Sequence, residues 1–432
     1  MLTVAYLANR FPVPVEPYVG EEIQELRRLG VRVIAGSVRR PETTLHGWDK
    51  ASSLNDFICL EPVRLLTLLR ALALIVWSWD RVADLVKRAL LAGQESPQRR
   101  VKALLHTWLG ACYAVQLQRH RVDHIHIHHG YFGSWIGMVA ARLLDVSFSV
   151  TLHGSDLLID GAYLDTKLKN CRFCVTISDF NRRFILQHFP AVEPEKIIVS
   201  RLGVDVPVRV EFRHGMQVVN ARRSLTLLAV GRLHAVKDHA FLVRACAKLQ
   251  DCGLDFECLI AGSGPERQRL ELLIQKNCLR SRVSLLGHVA RDQMDSLYRR
   301  ADVVVLTSRS EGIPLVLMEA MIRSRIVLVP AITGIPEIVI PGKTGFLYVP
   351  GSLQDFAAKV LFLQALLQAE ERDAISRLDW IRHAARAQAL NNFSRTKNLA
   401  DFCDRFLHLI PNNDPATEDW RPPHEDLILQ QI

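Results

Sequence analysis

The chain has 432 residues, more than one hydrophobic core usually organises, so two domains are expected. Hydrophobic residues make up 49% of it, which excludes a disordered chain. The formal charge of +9 is spread, with 24 Lys and Arg against 19 Asp and Glu in residues 1–200 and 30 against 26 beyond, so there is no basic tail to suggest a nucleic-acid partner, and an anionic small ligand, an anionic membrane face or an ordinary soluble enzyme all fit.

The N-terminal "MLTVAYLANRFPVPVEP" reads as a strand and a proline-broken loop, without the charged start and apolar centre of a secretion signal. A helix follows in "GEEIQELRRLG", then a strand in "VRVIAGS". Residues 63–79 are the most apolar stretch, but Arg64 and Arg70 interrupt it. The uninterrupted part, 71–79, falls short of the ~18–20 residues a membrane span needs. Two readings fit it: a buried helix, or an interfacial helix with Trp77 and Trp79 at lipid depth beside Arg81, Lys87 and Arg88.

"HIHIHHG", "FSVTLHG" and "FCVTIS" then read as strands ending in loops. Cys171 and Cys174 make one C-x-x-C with no second pair at zinc spacing, which suits unpaired thiols in a reducing cytosol. Residues 203–222 show no sustained period and are expected to be a linker. Beyond it "LTLLAVG", a helix in "HAFLVRACAKLQ", "FECLIAGSG", "VSLLGHV", "DVVVLTS" and "IVLVPAI" repeat the strand–helix rhythm. The proline-rich end reads as a surface strap or frayed end. The expectation is α/β with two doubly wound domains, 1–205 and 206–385, and a C-terminal helix and tail, 386–432, packing back on the first domain.

In open parallel sheets ligands sit beyond the carboxyl ends of the strands, so the residues there are the candidates. In "SRSEGIPLVLMEAM", Glu311 precedes a helix start and Glu319 lies about one turn beyond it. Gly312 allows close approach, Pro314 suits a first helical turn, and free N–H groups near Leu315 and Val316 would attract a phosphate. Carboxylates accept well from vicinal sugar hydroxyls. The plainer reading makes Glu311 a helix-dipole partner and Glu319 a surface residue. Arg232 and Lys237, in "VGRLHAVKDH", shift the balance, because two cations at one strand end suit a pyrophosphate. The sequence has no GxxxxGK[ST] and no Asp-x-Asp, so neither a P-loop nor a metal clamp is indicated, and no metal cofactor is expected.

In the first half, alternation puts His124, His126 and His128 on one strand face. That spacing is too long to converge on one ion, so a metal site there is disfavoured. His153, Gly154 and Asp156 end the strand of "FSVTLHGSD" and, with His126 and His128, are cleft candidates.

Taken in order, "VGRLHAVKDH", "AGSGPE", "LLGHV", "SRSEGIPLVLMEAM" and "TGIPEIVIPGKTGFLYVP" resemble glycosyltransferase family 4, the retaining, metal-independent nucleotide-sugar enzymes of GT-B fold. "NRFPVPVEPYVGEEIQELRRLG", "HIHIHHG" and "FSVTLHGSDL" are similar to exopolysaccharide glycosyltransferases of the colanic acid and amylovoran type. Pro17 and Tyr18 stand where Thr and Phe are usual there, and "AITGIPE" has one glycine fewer than the family pattern.

The resemblance implies a hexosyl transfer from a nucleoside-diphosphate sugar to a glycan or lipid-linked glycan acceptor, in the cytoplasm or on the cytoplasmic membrane face. It implies that Arg232 and Lys237 hold the diphosphate, Glu319 the ribose and Glu311 the donor sugar. Backbone groups of Gly312, Ile313, Pro314, Leu315 and Val316 would line the sugar and phosphate, His153 would face the anomeric carbon, and Gly287, His288 and Val289 would lie beside the base. The alternatives are a nucleotide-sugar epimerase of the same fold and a non-catalytic sugar-nucleotide binder.

Overall fold

Runs of aliphatic and β-branched residues, apolar on both faces, build two parallel sheets as such runs should. The computed structural model of the chain describes residues 1–13, 16–41, 56–93, 95–206, 224–369 and 371–410. The first sheet contains β1 (Thr3–Arg10), β2 (Arg32–Arg39), β3 (Phe57–Cys59), β4 (His124–His128), β5 (Ser147–Leu152), β6 (Phe173–Thr176) and β7 (Ile197–Val199), in the spatial order β3-β2-β1-β4-β5-β6-β7. The second contains β8 (Leu225–Val230), β9 (Phe256–Ala261), β10 (Val283–Gly287), β11 (Val303–Val305), β12 (Ile326–Pro330) and β13 (Phe346–Tyr348), in the order β10-β9-β8-β11-β12-β13. Wherever the connection between consecutive strands of a sheet lies in the described residues, a helix supplies it, as parallel pairing requires. The strand order reverses between β1 and β4 and between β8 and β11, and such points open the crevice where doubly wound sheets bind ligands. The ten sequence-predicted strands all form, and the two-domain α/β architecture is the observed one.

The last helix among the described residues, Arg395–Leu409, returns to the first domain and packs on the helix Pro17–Arg28. Its Phe402 and Phe406 join Tyr6, Val4 and Phe173 in one buried cluster. They also lie against the His126 ring, with centroids 6.2 and 5.0 Å away. The greater part of the expected linker, 207–222, and the proline-rich end beyond residue 410 lie outside the described residues.

Three expectations are corrected. Of the two readings of residues 63–79 the buried helix fails: the helix Leu65–Trp77 lies on the surface, Ala71 is its one buried residue, and Trp77 is 90% exposed. Its hydrophobicity runs around the whole helix, and only one narrow stripe meets the helix Pro97–Leu117. The strand before Ser308 ends early, at Val305, so 306–314 is a loop that can reach across the sheet end. Pro314 is the extended residue capping the helix Leu315–Ile322, not part of its first turn.

Candidate active site

In the second domain two loops meet at the β8/β11 reversal. After β8 the chain makes a short 3-10 turn, Ala235–Lys237. The loop after β11 is fastened to it: Arg309 N–H donates to Val236 O (2.8 Å) and the Thr307 hydroxyl to Lys237 O (3.0 Å). This sets Lys237 Nζ 2.5 Å from Glu311 Oε1, and Ser308 Oγ donates to the same oxygen at 2.5 Å. The pair is largely shielded from solvent, with the glutamate side chain 10% and the lysine side chain 23% exposed, so salt screens it less than a surface pair. Any diphosphate reaching this spot would compete with Glu311 for the ammonium group. Arg232, just beyond β8, is exposed.

Glu311 and Glu319 flank the start of the helix Leu315–Ile322, as their spacing implied. The Tyr298 hydroxyl donates to Glu319 Oε2 (2.7 Å), and Arg323 covers the Tyr298 ring at 4.9 Å. Burial and the Glu319 carboxylate push the Tyr298 hydroxyl well up, so it stays a donor. Ile313 and Pro314 are buried, while Leu315 and Val316 are half-buried at the helix tip. Gly287 ends the outer strand β10 and its O accepts from Gly262 N–H (2.8 Å); His288, exposed, and Val289 follow in the loop.

In the first domain Asp156 organises the β4 and β5 ends. Its carboxylate accepts from Gly130 N–H (2.8 Å), His153 N–H (3.1 Å) and Gly154 N–H (2.8 Å). Burial alone would raise its carboxyl, but His129 and these backbone donors hold it well below the usual range. His129 lies between Asp156 (3.7 Å) and Glu16 (3.2 Å). Burial would lower its imidazole, yet the two carboxylates raise it to about 10, so it is a cation. Glu16 would likewise rise on burial, but the His129 cation 3.2 Å away holds it low. His153 stacks beside His129 with centroids 4.6 Å apart, and burial followed by the His129 charge depresses it well below the ordinary histidine value.

The halves touch directly. A Cβ on Gly312 would lie 2.1 Å from His153 O, and one on Gly154 3.0 Å from Gly312 N, so only glycines permit this approach. Gly154 also has φ 156°, a conformation favouring glycine. Glu337 reaches across to accept from Asp179 N–H (3.0 Å) and Phe180 N–H at the start of the helix Asp179–His188.

The structure thus gathers Lys237, Glu311, Gly312, His153 and Gly154 at the junction of the two sheets. It moves His126 from the cleft to the core: both its ring nitrogens are taken, by Ser149 Oγ (2.7 Å) and Thr151 Oγ1 (3.0 Å). His128 is buried too but reaches His153. Ligand atoms of Glu22, His126 and His128 lie within 4.8 Å of one another, closer than straight-strand spacing suggests, because Glu22 arrives from the neighbouring helix. Each is already engaged in hydrogen bonds, a pattern that suits a polar network better than an ion. Sequence reasoning missed Glu22, His129 and Tyr298. Glu22 left one signal, a carboxylate on the same helix face as Val19, Ile23 and Leu26.

Residues 15–207 match Glycosyltransferase Family 4, and residues 217–377 match Glycosyl transferases group 1. Over 173 residues the chain is 35% identical to the putative colanic acid biosynthesis glycosyltransferase of Salmonella typhimurium, covering 39% of this chain and 42% of that one. The Escherichia coli protein of the same name is 31% identical over 205 residues, 46% and 49% of the two chains. The matches therefore span less than half the length of these relatives. Among solved structures, a glycosyltransferase from Rickettsia africae superposes with TM-score 0.65 at 20% identity, over 95% of this chain and 99% of that one. Sucrose-phosphate synthase from Thermosynechococcus elongatus does so with TM-score 0.69 at 16% identity, over the same shares. At these identities the structures establish the shared two-domain fold.

Proposed function

The chain is a two-domain member of the family 4 and group 1 glycosyltransferases, one family matching each half, and on that premise we propose that it moves a sugar from a nucleoside diphosphate to a hydroxyl of a lipid-linked glycan, with retention, in cell-surface or exopolysaccharide synthesis. The carrying observation is the Lys237–Glu311 pair at the tip of the helix Leu315–Ile322, facing His153 across a glycine-only contact. The relatives named for colanic acid biosynthesis support the polysaccharide setting.

In this reading Arg232, Lys237 and the helix N-terminus neutralise the charge that grows on the departing diphosphate. The positive charge comes from these groups and not from a metal. Glu319, oriented by Tyr298, accepts from the ribose hydroxyls. Glu311, released from Lys237 when phosphate takes the ammonium, accepts from the donor sugar. His153 closes the other side, and the acceptor hydroxyl attacks from the face the diphosphate leaves, its proton passing to the departing phosphate as the sugar–phosphate bond breaks. Domain closure through Gly312 and Glu337 excludes water from the reacting carbon.

A thermal-shift screen over UDP-, GDP- and ADP-sugars selects the donor. With that donor, Lys237→Ala and Glu311→Ala should each lose about a hundredfold or more in turnover while melting near the parent. Chelation by EDTA should leave turnover unchanged. Near-full activity in either variant would refute the site. Conversion of the nucleotide sugar without acceptor would favour an epimerase, and binding without turnover a sensor.

The surface helix supports a peripheral membrane contact as part of the same reading. Leu65, Leu69, Leu72, Val76 and Trp77 are exposed, with Leu105 and Trp108 on the adjoining helix Pro97–Leu117. Exposed Arg70, Lys87 and Arg119 accompany them. Apolar side chains beside cations suit an anionic bilayer surface. On that second helix His106 stacks on Phe132 (5.1 Å), just past β4, so the apolar face starts near the cleft, where a lipid-linked acceptor would enter. Among the described residues no helix is long and apolar enough to cross a membrane. Flotation with anionic liposomes should recover the protein, and Leu69→Glu/Trp77→Glu should abolish it; binding indifferent to lipid charge would count against the contact.

A further inference from the structure

Behind His153 runs a chain of buried polar groups. The Tyr6 hydroxyl donates to Glu22 Oε2 (2.8 Å), and His128 Nε2 lies 3.0 Å from the same oxygen. His128 Nδ1 lies 3.2 Å from His153 Nε2. Tyr6, Glu22 and His128 are 1, 6 and 0% exposed. The last nitrogen of the chain, His153 Nδ1, is covered as well and has no hydrogen-bond partner.

The proton positions follow from the inventory of donors. An ionised carboxylate only accepts, so His128 Nε2 carries its hydrogen toward Glu22. A neutral imidazole has one N–H, so with the Nε2 hydrogen turned to Glu22 a neutral His128 can only accept at Nδ1. In that state His153 Nε2 must donate to it. That leaves His153 Nδ1 as a bare lone pair, a buried acceptor awaiting a donor.

We propose that His128 is neutral and that Glu22 and His128 are positioning residues that fix the tautomer of His153, so that His153 Nδ1 selects a hydroxyl, and rejects a carbonyl or carboxylate, at the point where the donor sugar meets it. Which ligand meets His153 rests on the donor-site reading above; the relay itself does not. Glu22 arrives from the helix Pro17–Arg28 and His128 from β4, so two other elements set the polarity of His153.

The test is a long-range proton–nitrogen NMR spectrum of the full chain labelled with 15N-histidine and no added ligand. His128→Gln and His153→Gln variants assign the signals. The parent should show bare nitrogens at Nδ1 of both His128 and His153. In Tyr6→Phe/Glu22→Leu, which removes the hydroxyl together with the carboxylate it donates to, the His128 N–H loses its acceptor, the polarity is released and the His153 Nδ1 signal should shift toward the protonated position. Turnover of that variant should fall about tenfold with little change in donor KM, since the diphosphate site lies in the other domain. A parent His153 protonated at Nδ1, a doubly protonated His128, or an unchanged His153 signal in the folded variant would overturn the relay; should the variant not fold, the parent spectrum decides alone. Transfer without the expected tautomers sinks the relay and spares the enzyme reading, and the expected tautomers without transfer do the reverse.

Discussion

Replacing Gly312 by alanine should hold the two domains apart and leave each of them folded. The added Cβ would sit 2.1 Å from His153 O and 2.6 Å from Ile177 Cδ1, both in the facing domain. Ordinary contacts between such atoms lie near 3.5 Å, so the gap must widen by roughly an ångström or more. Gly312 is not among the residues with positive φ, so alanine meets no backbone strain there. Its penalty falls on closure alone. A misplacement of about an ångström between reacting groups costs on the order of a hundredfold in rate, or about 2.7 kcal/mol. Steady-state transfer with the selected donor reads the rate, small-angle scattering the radius of gyration, and calorimetry the melting point. The expected set is a turnover loss near that size, a larger radius and an almost unchanged melting point. Parent-like turnover and radius would show that the contact is not needed for the active arrangement. A collapse in melting temperature would place the clash within a domain core and refute the reasoning differently.

Two other predictions follow from the same contacts. Glu337→Gln removes a carboxylate from the start of the helix Asp179–His188 and should weaken closure by about 1 kcal/mol, raising donor KM about fivefold with kcat largely kept; an unchanged KM would remove Glu337 from the closure contact. The His129 cation should give the melting temperature a pH dependence. Its folded value, about 10, exceeds the unfolded value near 6.5, so its stabilisation is complete below about pH 6.5 and drains away as pH rises toward 10. Asp156 and Glu16 are held low, so their share is present above about pH 4 and is lost in acid. His129→Gln should flatten the alkaline slope, and a parent curve with no fall from about pH 7 to pH 10 would contradict the assignment.

Much of this arrangement is written in local patterns. "DVVVLTS" and "IVLVPAI" are long enough to declare buried strands, and Gly, Pro and acidic residues punctuate the loop that carries Glu311. The strands that escaped, β3, β7 and β13, have three residues each, too few for any period to show. Glu22 and Tyr298 escaped for another reason. Each is a polar group on a helix, and what matters is a partner far away in sequence: His128, 106 residues on, and Glu319, 21 residues on. The exposure of Trp77 was legible only as one of two readings, because an apolar helix looks alike whether protein or another medium is to cover it.

The helix Arg395–Leu409 bears on how the protein is made. The strands of the first sheet are complete by Val199, yet the aromatic roof over one face comes from Phe402 and Phe406. A ribosome adding about 5–20 residues each second needs on the order of ten seconds or more to cover that interval. For that time the emerging first sheet stands unroofed, with Tyr6, Phe173 and the β4 histidines waiting for the last helix to be synthesised. The two halves are therefore not separable modules. Cutting the gene in the region between them would yield a first domain missing part of its own core, and the order of synthesis makes the finished first domain one of the last parts of the chain to settle.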